Sequence, residues 1–243
     1  FTAAWNAFAG ASGYALDVST SATFGVTGGG WTNIFRETMG SVGSTTAIST
    51  HESNDGFDNV AFTMSDGGAA NAADVRNTSA SSGYDDPAGN AASANANIFF
   101  TSTAGDRGFS IEDIDTTGYE DLLLSFGYRK ESGSANTSFA IDWSTNSGSS
   151  WHAITLSNMP AAGASAGWYM VSNLSVSAAA AGSPNLSIRW VKSGSVAGRV
   201  DDVLLQGRGL VPSFIPGYSN RAVSATSQSV TGLSANVTYY FRV

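Results

Sequence analysis

The chain contains no cysteine and only two histidines, and 12% of its 243 residues are charged. Without cysteine there is no disulfide framework, no thiol nucleophile and no cysteine-ligated zinc site. His51 and His152 are too few for a histidine-rich transition-metal site. Eleven Lys and Arg residues stand against 19 Asp and Glu, a net charge of −8, so the cations that a nucleic-acid partner requires are lacking. No apolar run approaches the ~18 residues of a membrane span, which predicts that the chain does not insert into a membrane.

What the chain does contain is a pattern of short β-strands. Hydrophobic residues make up 42% and aromatic residues 11%, which is enough to build a core and argues against disorder. Short apolar segments are separated by Gly, Asn, Asp and Ser at intervals of roughly 8–15 residues, and no helical period appears. This pattern predicts an all-β fold made of β-sandwiches. Four tryptophans of the alternating segments are expected in the core: Trp143, Trp151, Trp168 and Trp190.

The two ends of the chain carry a signal of their own. Trp5 is followed by Tyr14-x-Leu-x-Val, and near the other end Leu233 lies six residues before Tyr239, which opens an alternating strand. These stretches resemble the second strand, the third strand and the tyrosine corner of the fibronectin type III domain. In that family they lie a few tens of residues apart, whereas here nearly the whole chain separates them.

The resemblance implies that one domain interrupts another. A fibronectin type III-like sandwich would comprise residues 1–28 and 210–243, without its first and last strands. A second domain, residues 29–209, would be inserted into it. Glycines at both junctions suit flexible connectors, because insertions are tolerated at exposed loop tips. A single continuous sandwich is the alternative.

Three stretches of the inserted segment carry a second resemblance. They are Glu37 in an opening strand, the hairpin Ser-Thr-Asn-x-Gly-x-x-Trp151, and Val200-Asp-Asp-Val in a closing strand. Together they resemble the galactose-binding-like jelly rolls of carbohydrate-binding modules in secreted bacterial proteins. The resemblance implies a jelly roll inserted into an incomplete fibronectin type III-like sandwich, in a protein that is secreted or displayed at the cell surface.

Acidic residues of the opening and closing strands are candidate metal ligands. These strands are commonly neighbours in a jelly roll, and calcium takes about six to eight oxygen ligands. The resemblance implies a structural Ca²⁺ bound by Glu37 and Asp201. Asp201 and Asp202 face opposite sides of an ideal strand, which predicts that only one of them binds. The secondary candidates are Asp202, Asp55 and Asp58. The alternative is a set of solvated acids or acids paired with adjacent arginines.

A polar loop around Tyr84 is the candidate ligand-binding surface. Protein sites for sugars combine an aromatic face with polar side chains that bond the hydroxyl groups. Tyr84 lies in Ser81-Ser-Gly-Tyr-Asp-Asp-Pro-Ala-Gly-Asn90, where an aromatic residue has no evident role in the core. A strand that ends at residues 128–130 is expected to border the same surface. The candidate contacts are Tyr84, Asp85, Asp86, Asn90, Tyr128 and Arg129.

No motif singles out a catalytic site. Glycoside hydrolysis requires two carboxylates at a set separation, but among 19 acids some pair is inevitable. A Ser-His-Asp triad would need one of the two histidines, and neither a nucleophile elbow nor a phosphate-binding loop accompanies them. We therefore expect a non-catalytic extracellular accessory region that binds a polysaccharide or other glycan and spaces the domains of a larger protein. The alternative is a structural repeat of an adhesin, fibre or stalk, which contacts other domains or copies of the same protein and has no glycan pocket.

Overall fold

The structure is a computed structural model that describes residues 1–20, 24, 29–133, 135–210 and 214–243. The predicted boundary at residue 28, between the outer and the inserted domain, falls outside the described residues. Within them, no helix is both long enough and apolar enough to cross a membrane.

The regular secondary structure is nearly all β-strand, which confirms the predicted all-β class. Helical structure in the described residues is limited to α1 (Ile48–Ser53) and a 3-10 helix (Ala178–Ala180). The strands in chain order are β1 (Thr2–Ala4), β2 (Tyr14–Ser19), β3 (Trp31–Glu37), β4 (Thr46–Ala47), β5 (Thr63–Ser65), β6 (Asp74–Arg76), β7 (Asn97–Phe100), β8 (Arg107–Ile114), β9 (Tyr119–Lys130), β10 (Ser138–Ser144), β11 (His152–Ile154), β12 (Gly167–Val176), β13 (Leu186–Ser193), β14 (Gly198–Gly209), β15 (Arg221–Val223), β16 (Ser227–Ser229) and β17 (Tyr240–Arg242).

The chain divides into two compact units. One comprises Phe1–Gly30 and Gly209–Val243, and the other comprises Trp31–Arg208. The larger unit contains a five-stranded and a seven-stranded sheet that pack on one apolar core. Rings from the two sheets meet in this core, where the centroids of Phe126 and Trp190 lie 5.6 Å apart. The larger unit is therefore a β-sandwich, and its assignment as a jelly roll stays a prediction.

The seven-stranded sheet changes its pairing at the predicted metal residues. Its order is β12-β9-β14-β7-β6-β4, and β3 also pairs with β14. Residues 198–200 of β14 pair with β7, and residues 203–208 pair with β3, so the partner changes at Asp201 and Asp202. Asp202 has a φ of 48°, a left-handed conformation that interrupts the regular alternation of side chains. The change of partner leaves an opening that loops of the larger unit fill.

The five-stranded sheet carries a polar row on its outer face. Its order is β11-β10-β13-β8-β5, and its pairs are antiparallel. The register places Asp142 beside Arg189, Arg189 beside Ser110, and Ser110 beside Ser65. The residues that flank them along the strands belong to the core, because strand side chains alternate between the two faces. Polar residues of four neighbouring strands therefore line up across the surface of this sheet.

The smaller unit consists of a two-stranded and a three-stranded sheet. β1 pairs with β16, and β2 lies between β15 and β17. The Tyr239 hydroxyl accepts a 2.8 Å hydrogen bond from the Ser234 N–H. The assignment of this unit to the fibronectin type III family stays a prediction. Its buried apolar residues are Ala3, Leu16, Val18, Tyr218, Val223 and Val230.

Gly108 allows a loop to cross the five-stranded sheet. A Cβ on this residue would lie 2.0 Å from the Asp66 carbonyl oxygen and 2.6 Å from the Ala69 Cβ. We expect Gly108→Ala to lower the free energy of unfolding by about 1–3 kcal/mol, because the added methyl group must displace backbone. Urea denaturation measures this loss. In the control Gly163→Ala the new Cβ meets no atom within 4 Å, so an equal effect of both substitutions would contradict the packing argument.

Candidate functional site

Glu37, the first predicted metal ligand, is fully buried at the end of β3. Its Oε1 accepts hydrogen bonds from the N–H groups of Met39 at 2.8 Å and Asp58 at 3.1 Å. Its Oε2 accepts from the Asn59 N–H at 3.0 Å and from the Asn59 Nδ2 at 2.7 Å. Burial raises the pKa of this carboxyl group, although the hydrogen bonds oppose the shift. Glu37 therefore fastens the loop after α1 to the end of β3.

Asp201 and Asp202 are also fully buried, and they share a partner in the loop before β7. Asp202 Oδ2 accepts a hydrogen bond from the Ser93 N–H at 3.1 Å, and Asp201 Oδ2 accepts one from the Ser93 hydroxyl at 3.4 Å. The two side chains therefore reach the same loop, not opposite faces of the sheet as predicted, because Asp202 is left-handed. Burial, reinforced by the charge of Asp202, raises the pKa of Asp201 well above its ordinary value.

Arg36 supplies the positive charge in this region. Its Nη2 lies 2.7 Å from Asp202 Oδ1 and 2.9 Å from the Ala91 carbonyl oxygen. Its Nε lies 2.8 Å from Asp86 Oδ2. Both carboxylates are fully buried, and the Arg36 side chain is 22% exposed. At Asp202 the structure therefore has the alternative to a calcium site that the sequence left open, an acid paired with an adjacent arginine.

The other two predicted metal ligands lie at the surface. Asp55 is exposed in the turn after α1, and the exposed Asp58 accepts hydrogen bonds from the Thr38 N–H and hydroxyl. Across the part of the chain that the structure describes, no three His, Asp or Glu side chains are grouped as a metal site. The oxygens of the buried carboxylates already accept N–H or O–H donors, so their arrangement does not fit a calcium ion. Calcium binding at these residues stays a prediction, which chelation tests.

Tyr84 is folded onto the seven-stranded sheet. Its hydroxyl donates a 2.7 Å hydrogen bond to Asp202 Oδ2. The same hydroxyl lies against Gly127, where a Cβ would come within 2.0 Å of it. Burial, followed by the charges of Asp202 and Asp201, raises the pKa of Tyr84. Tyr84 therefore uses its polar atom to hold the loop to β14.

Asp86 organises the same loop from within. It is buried, and its Oδ1 accepts hydrogen bonds from the N–H groups of Ala88 at 2.9 Å and Asn90 at 3.0 Å. Its Oδ2 accepts from the Asn90 Nδ2 at 3.0 Å as well as from Arg36. Asp85 and Asn90 have exposed surface, but the Asn90 side chain is directed to Asp86. The loop brings the four predicted contacts together, and the side chains of Tyr84, Asp86 and Asn90 make structural hydrogen bonds.

The remaining two predicted contacts do not join the loop surface. Tyr128 is fully buried in the core, where its hydroxyl accepts a 2.8 Å hydrogen bond from the Thr137 N–H. It cannot offer a ring face to a ligand from there, so this expectation is corrected: the alternation of β9 turns residue 128 inward. Arg129, its neighbour on the opposite face, pairs with Glu131 at 2.6 Å.

A cleft that contains none of the predicted contact residues lies on the outer face of the five-stranded sheet. Its volume is about 370 Å³. Ser65, Glu112 and Arg189 of the sheet form its floor. The turn after β5 forms one wall, and the turn between β10 and β11 forms the other. The lining residues are Ser65, Gly67, Gly68, Glu112, Ser147, Gly148, Trp151 and Arg189. The sequence pattern did not point to this cleft.

Arg189 occupies the floor of the cleft. Its Nε donates to Asp142 Oδ2 at 3.0 Å, and its Nη1 donates to the Gly67 carbonyl oxygen at 2.9 Å. Its guanidinium carbon lies 4.0 Å from the centroid of a Trp151 ring, which is a cation–π distance. The Arg189 Nη2 has no hydrogen-bond partner among the described residues. In the sequence, Arg189 stands between Ile188 and Trp190 of the core. A charged residue within an apolar strand was therefore the signal that could have pointed to this site.

Glu112 supplies a carboxylate on the neighbouring strand. Its Oε1 accepts hydrogen bonds from the hydroxyls of Ser65 at 2.6 Å and Ser110 at 2.5 Å. Both hydroxyls use the same oxygen, and Oε2 has no partner in the described part of the chain. Among the described residues, the acceptor Glu112 Oε2 and the donor Arg189 Nη2 are therefore without a partner in the cleft.

Trp151 stands at the end of the turn that forms one wall. Within this turn the Ser144 hydroxyl oxygen accepts hydrogen bonds from the N–H groups of Asn146 at 3.2 Å and Gly148 at 3.0 Å. Asn146 Oδ1 accepts one from the Ser150 N–H at 3.0 Å. Trp151 is half-buried, so its expected place in the core is corrected, because it directly follows this turn and precedes β11. Trp143 and Trp190 are buried as expected, whereas Trp168 is half-buried on β12, so its expected place in the core is corrected as well.

The opposite wall is the turn after β5. The Ser65 hydroxyl oxygen accepts a 2.9 Å hydrogen bond from the Gly67 N–H, and Asp66 Oδ1 accepts one of 2.9 Å from the Gly68 N–H. Gly67 and Gly68 have φ angles of 62° and 74°, which glycine adopts without steric cost. Gly67 also lies against the sheet, since a Cβ there would approach the Arg189 Cβ to 3.0 Å.

We expect Arg36→Ala to lower the free energy of unfolding by about 2–4 kcal/mol, because it leaves Asp86 and Asp202 buried without their cation. Urea denaturation measures the loss. The matched control is Arg208→Ala, which removes an arginine that is 36% exposed and pairs with Glu120 and Asp121. The control is expected to cost ~1 kcal/mol or less. Equal losses in the two variants would show that burial of the Arg36 ion pairs does not add to the free energy of unfolding.

Chelation separates the hydrogen-bonded arrangement from the predicted calcium site. Because N–H and O–H donors already satisfy the buried carboxylates, we expect EDTA to leave the melting temperature unchanged to within ~1 °C. A bound calcium ion would stabilise the folded state by mass action, so its removal would lower the melting temperature by several degrees. A drop that added calcium reverses, and added magnesium does not, would establish the ion and contradict this expectation.

Comparisons with known proteins yield partial structural similarity. No protein-family model and no curated protein matches the chain. The CBM22-1 xylan-binding domain from Paenibacillus barcinonensis is 11% identical, with a TM-score of 0.41, and the match covers 76% of this chain and 100% of that domain. The K1 cleaved adhesin domain of Lys-gingipain from Porphyromonas gingivalis is 15% identical, with a TM-score of 0.38, over 61% of this chain and 91% of that domain. The enzymatically active domain of tailspike protein 4 from bacteriophage CBA120 is 18% identical, with a TM-score of 0.35, over 71% of this chain and 22% of that one.

Proposed function

We propose that the chain is a non-catalytic accessory region of a secreted or cell-surface protein and binds glycan in the cleft of the five-stranded sheet. One observation carries the proposal: a half-buried tryptophan, an unpartnered guanidinium nitrogen and an unpartnered carboxylate oxygen line one cavity. Each sugar hydroxyl both donates and accepts hydrogen bonds, and the C–H groups of a sugar ring pack on aromatic side chains. The cleft supplies hydrogen-bond partners for the hydroxyl groups, and the part of the Trp151 ring that Arg189 does not cover is the aromatic surface proposed for the C–H groups.

The side chains of the cleft are held in place before any ligand arrives. The Asp142 carboxylate and the Gly67 carbonyl oxygen fix Arg189, and two serine hydroxyls fix Glu112. A binding site whose side chains are already ordered loses less conformational entropy when it closes on a ligand. The volume of about 370 Å³ also lies within the range of small-molecule sites. Both features support recognition of a short stretch of saccharide.

The carboxylates of the cleft favour binding over turnover. Glycoside hydrolysis needs one carboxyl group to protonate the leaving group and another to act as base or nucleophile. Glu112 is the one carboxylate among the described residues that line the cleft, and the neighbouring Asp142 is paired with Arg189 at 3.0 Å. We therefore propose recognition without a reaction. Release of reducing ends from a polysaccharide incubated with the protein, lost in Glu112→Gln, would contradict this.

A structural role in an adhesin, fibre or stalk is the second candidate. The smaller unit presents β17 with three exposed residues, and its Tyr240 and Phe241 side chains are 39% and 40% exposed. Exposed apolar residues on a strand are a common feature of protein interaction surfaces. Concentration-dependent assembly in sedimentation experiments, without any response to glycan, would favour this function over the first.

We expect Trp151→Ala to weaken binding of glycan by about tenfold or more, which corresponds to ~1.4 kcal/mol, because it removes the aromatic surface of the cleft. A glycan array identifies a bound oligosaccharide, and calorimetry measures its dissociation constant in each variant. The matched control is Trp168→Ala, which removes a half-buried tryptophan from the seven-stranded sheet. The control is expected to bind like the original chain.

The same experiment distinguishes the cleft from the loop that the sequence favoured. Asp85 is exposed on that loop, and the Tyr84 ring lies 6.3 Å from Trp168. If Asp85→Ala or Trp168→Ala abolishes binding while Trp151→Ala does not, glycan binds at the loop and the cleft assignment is wrong. Circular dichroism of each variant verifies that the fold is retained.

A further inference from the structure

We propose that the cleft selects saccharides without an anionic group, and that Glu112 is the residue that imposes this selection. The inference rests on the proposed glycan-binding function and deepens it by naming the class of sugar. Neutral hexoses and their uronic acids differ at one exocyclic carbon, which is a hydroxymethyl group in the first and a carboxylate in the second. The charges around the cleft decide between these two classes.

The balance of charge in the cleft is negative. Arg189 is the cation that lines the cleft. Asp142 offsets the charge of Arg189, because an Asp142 carboxylate oxygen lies 3.0 Å from the Arg189 Nε. Glu112 lines the cleft, and its hydrogen-bond partners are uncharged serines. Asp66 adds a second carboxylate in the adjacent wall, where its Oδ1 accepts a hydrogen bond from the Gly68 N–H. An anionic sugar entering the cleft would therefore meet net repulsion.

Arg189 is not free to offset this repulsion by binding the anion. An arginine holds a carboxylate or sulfate best through two parallel N–H groups. The Arg189 Nε and Nη1 are engaged by Asp142 and by the Gly67 carbonyl oxygen, and its guanidinium lies over the Trp151 ring. The nitrogen without a partner in the described chain is Nη2, which suits a single hydroxyl oxygen. The geometry of Arg189 thus fits neutral sugars better than anionic ones.

Glu112 accepts hydrogen bonds, and no cation among the described residues pairs with its negative charge. Two serine hydroxyls converge on Oε1 at 2.5 and 2.6 Å, and Oε2 stays without a partner in the described residues. A carboxylate oxygen accepts a hydrogen bond from a sugar hydroxyl, whereas it repels another carboxylate. The same atom therefore attracts a neutral sugar and disfavours an acidic one.

The test uses oligosaccharides of equal length in matched pairs: gluco- with glucurono-, galacto- with galacturono-, and manno- with mannurono-oligosaccharides. For the pair whose neutral member binds best, we expect the neutral member to bind roughly three- to tenfold more tightly at low ionic strength. In Glu112→Gln the ratio should approach one, because the amide keeps the shape and loses the charge. In 1 M NaCl, where the Debye length is ~3 Å, the ratio for the original chain should fall as well.

A control variant separates a local effect from a change in total charge. Glu52→Gln, in α1, removes one negative charge from a residue that does not line the cleft, and it should leave the ratio unchanged. Equal binding of neutral and anionic members by the original chain would overturn this inference and leave the proposed function standing. So would a ratio that survives in Glu112→Gln while circular dichroism shows an intact fold. Failure to bind any saccharide of either class would instead refute the proposed function.

Discussion

The larger unit depends on a half-buried arginine, Arg36, where strand β14 changes partner. β14 leaves β7 and joins β3 at Asp201 and Asp202, and the loop before β7 must close the opening. Arg36 bonds Asp202 in the strand and both Asp86 and the Ala91 carbonyl oxygen in the loop. Since burial of unpaired carboxylates is unfavourable, the two acids and the arginine require one another. This requirement ties the loop to the point where β14 changes partner and where Asp202 is left-handed.

The two sheets differ in how fully their polar groups are hydrogen-bonded within the protein. On the seven-stranded sheet, Tyr84 lies over Gly127 and donates to Asp202, so the polar groups of the loop are used internally. On the five-stranded sheet, the polar row stays on the outer face, and Arg189 and Glu112 each keep one atom without a partner among the described residues. The loop on one sheet therefore uses its polar groups in structural hydrogen bonds, whereas two polar side chains of the other sheet each have one atom without such a bond among the described residues.

The sequence predicted the β fold because alternation within a strand is a local property. It also brought out Glu37 and Asp201, which the structure places at the ends and junctions of paired strands. It could not predict their hydrogen bonds, since the donors belong to loops that are distant in the chain, such as Asn59 and Ser93. The same limit explains Tyr128 and Trp151: alternation shows that an aromatic residue lies near a strand, but not which face it occupies or where the strand begins.

The walls of the cleft differ in kind from its floor. The floor belongs to paired strands, so its residues are tied to the core behind them. Each wall is a turn that makes hydrogen bonds within itself, through Ser144 and Asn146 on one side and Ser65 and Asp66 on the other. Residues such as Ser147 can therefore be exchanged without disturbing the sheet. The turn after β5 is also tied to the floor, because the Gly67 carbonyl oxygen accepts a hydrogen bond from Arg189. The turn between β10 and β11 is therefore the edge of the cleft that grafting could change with the least effect on the floor.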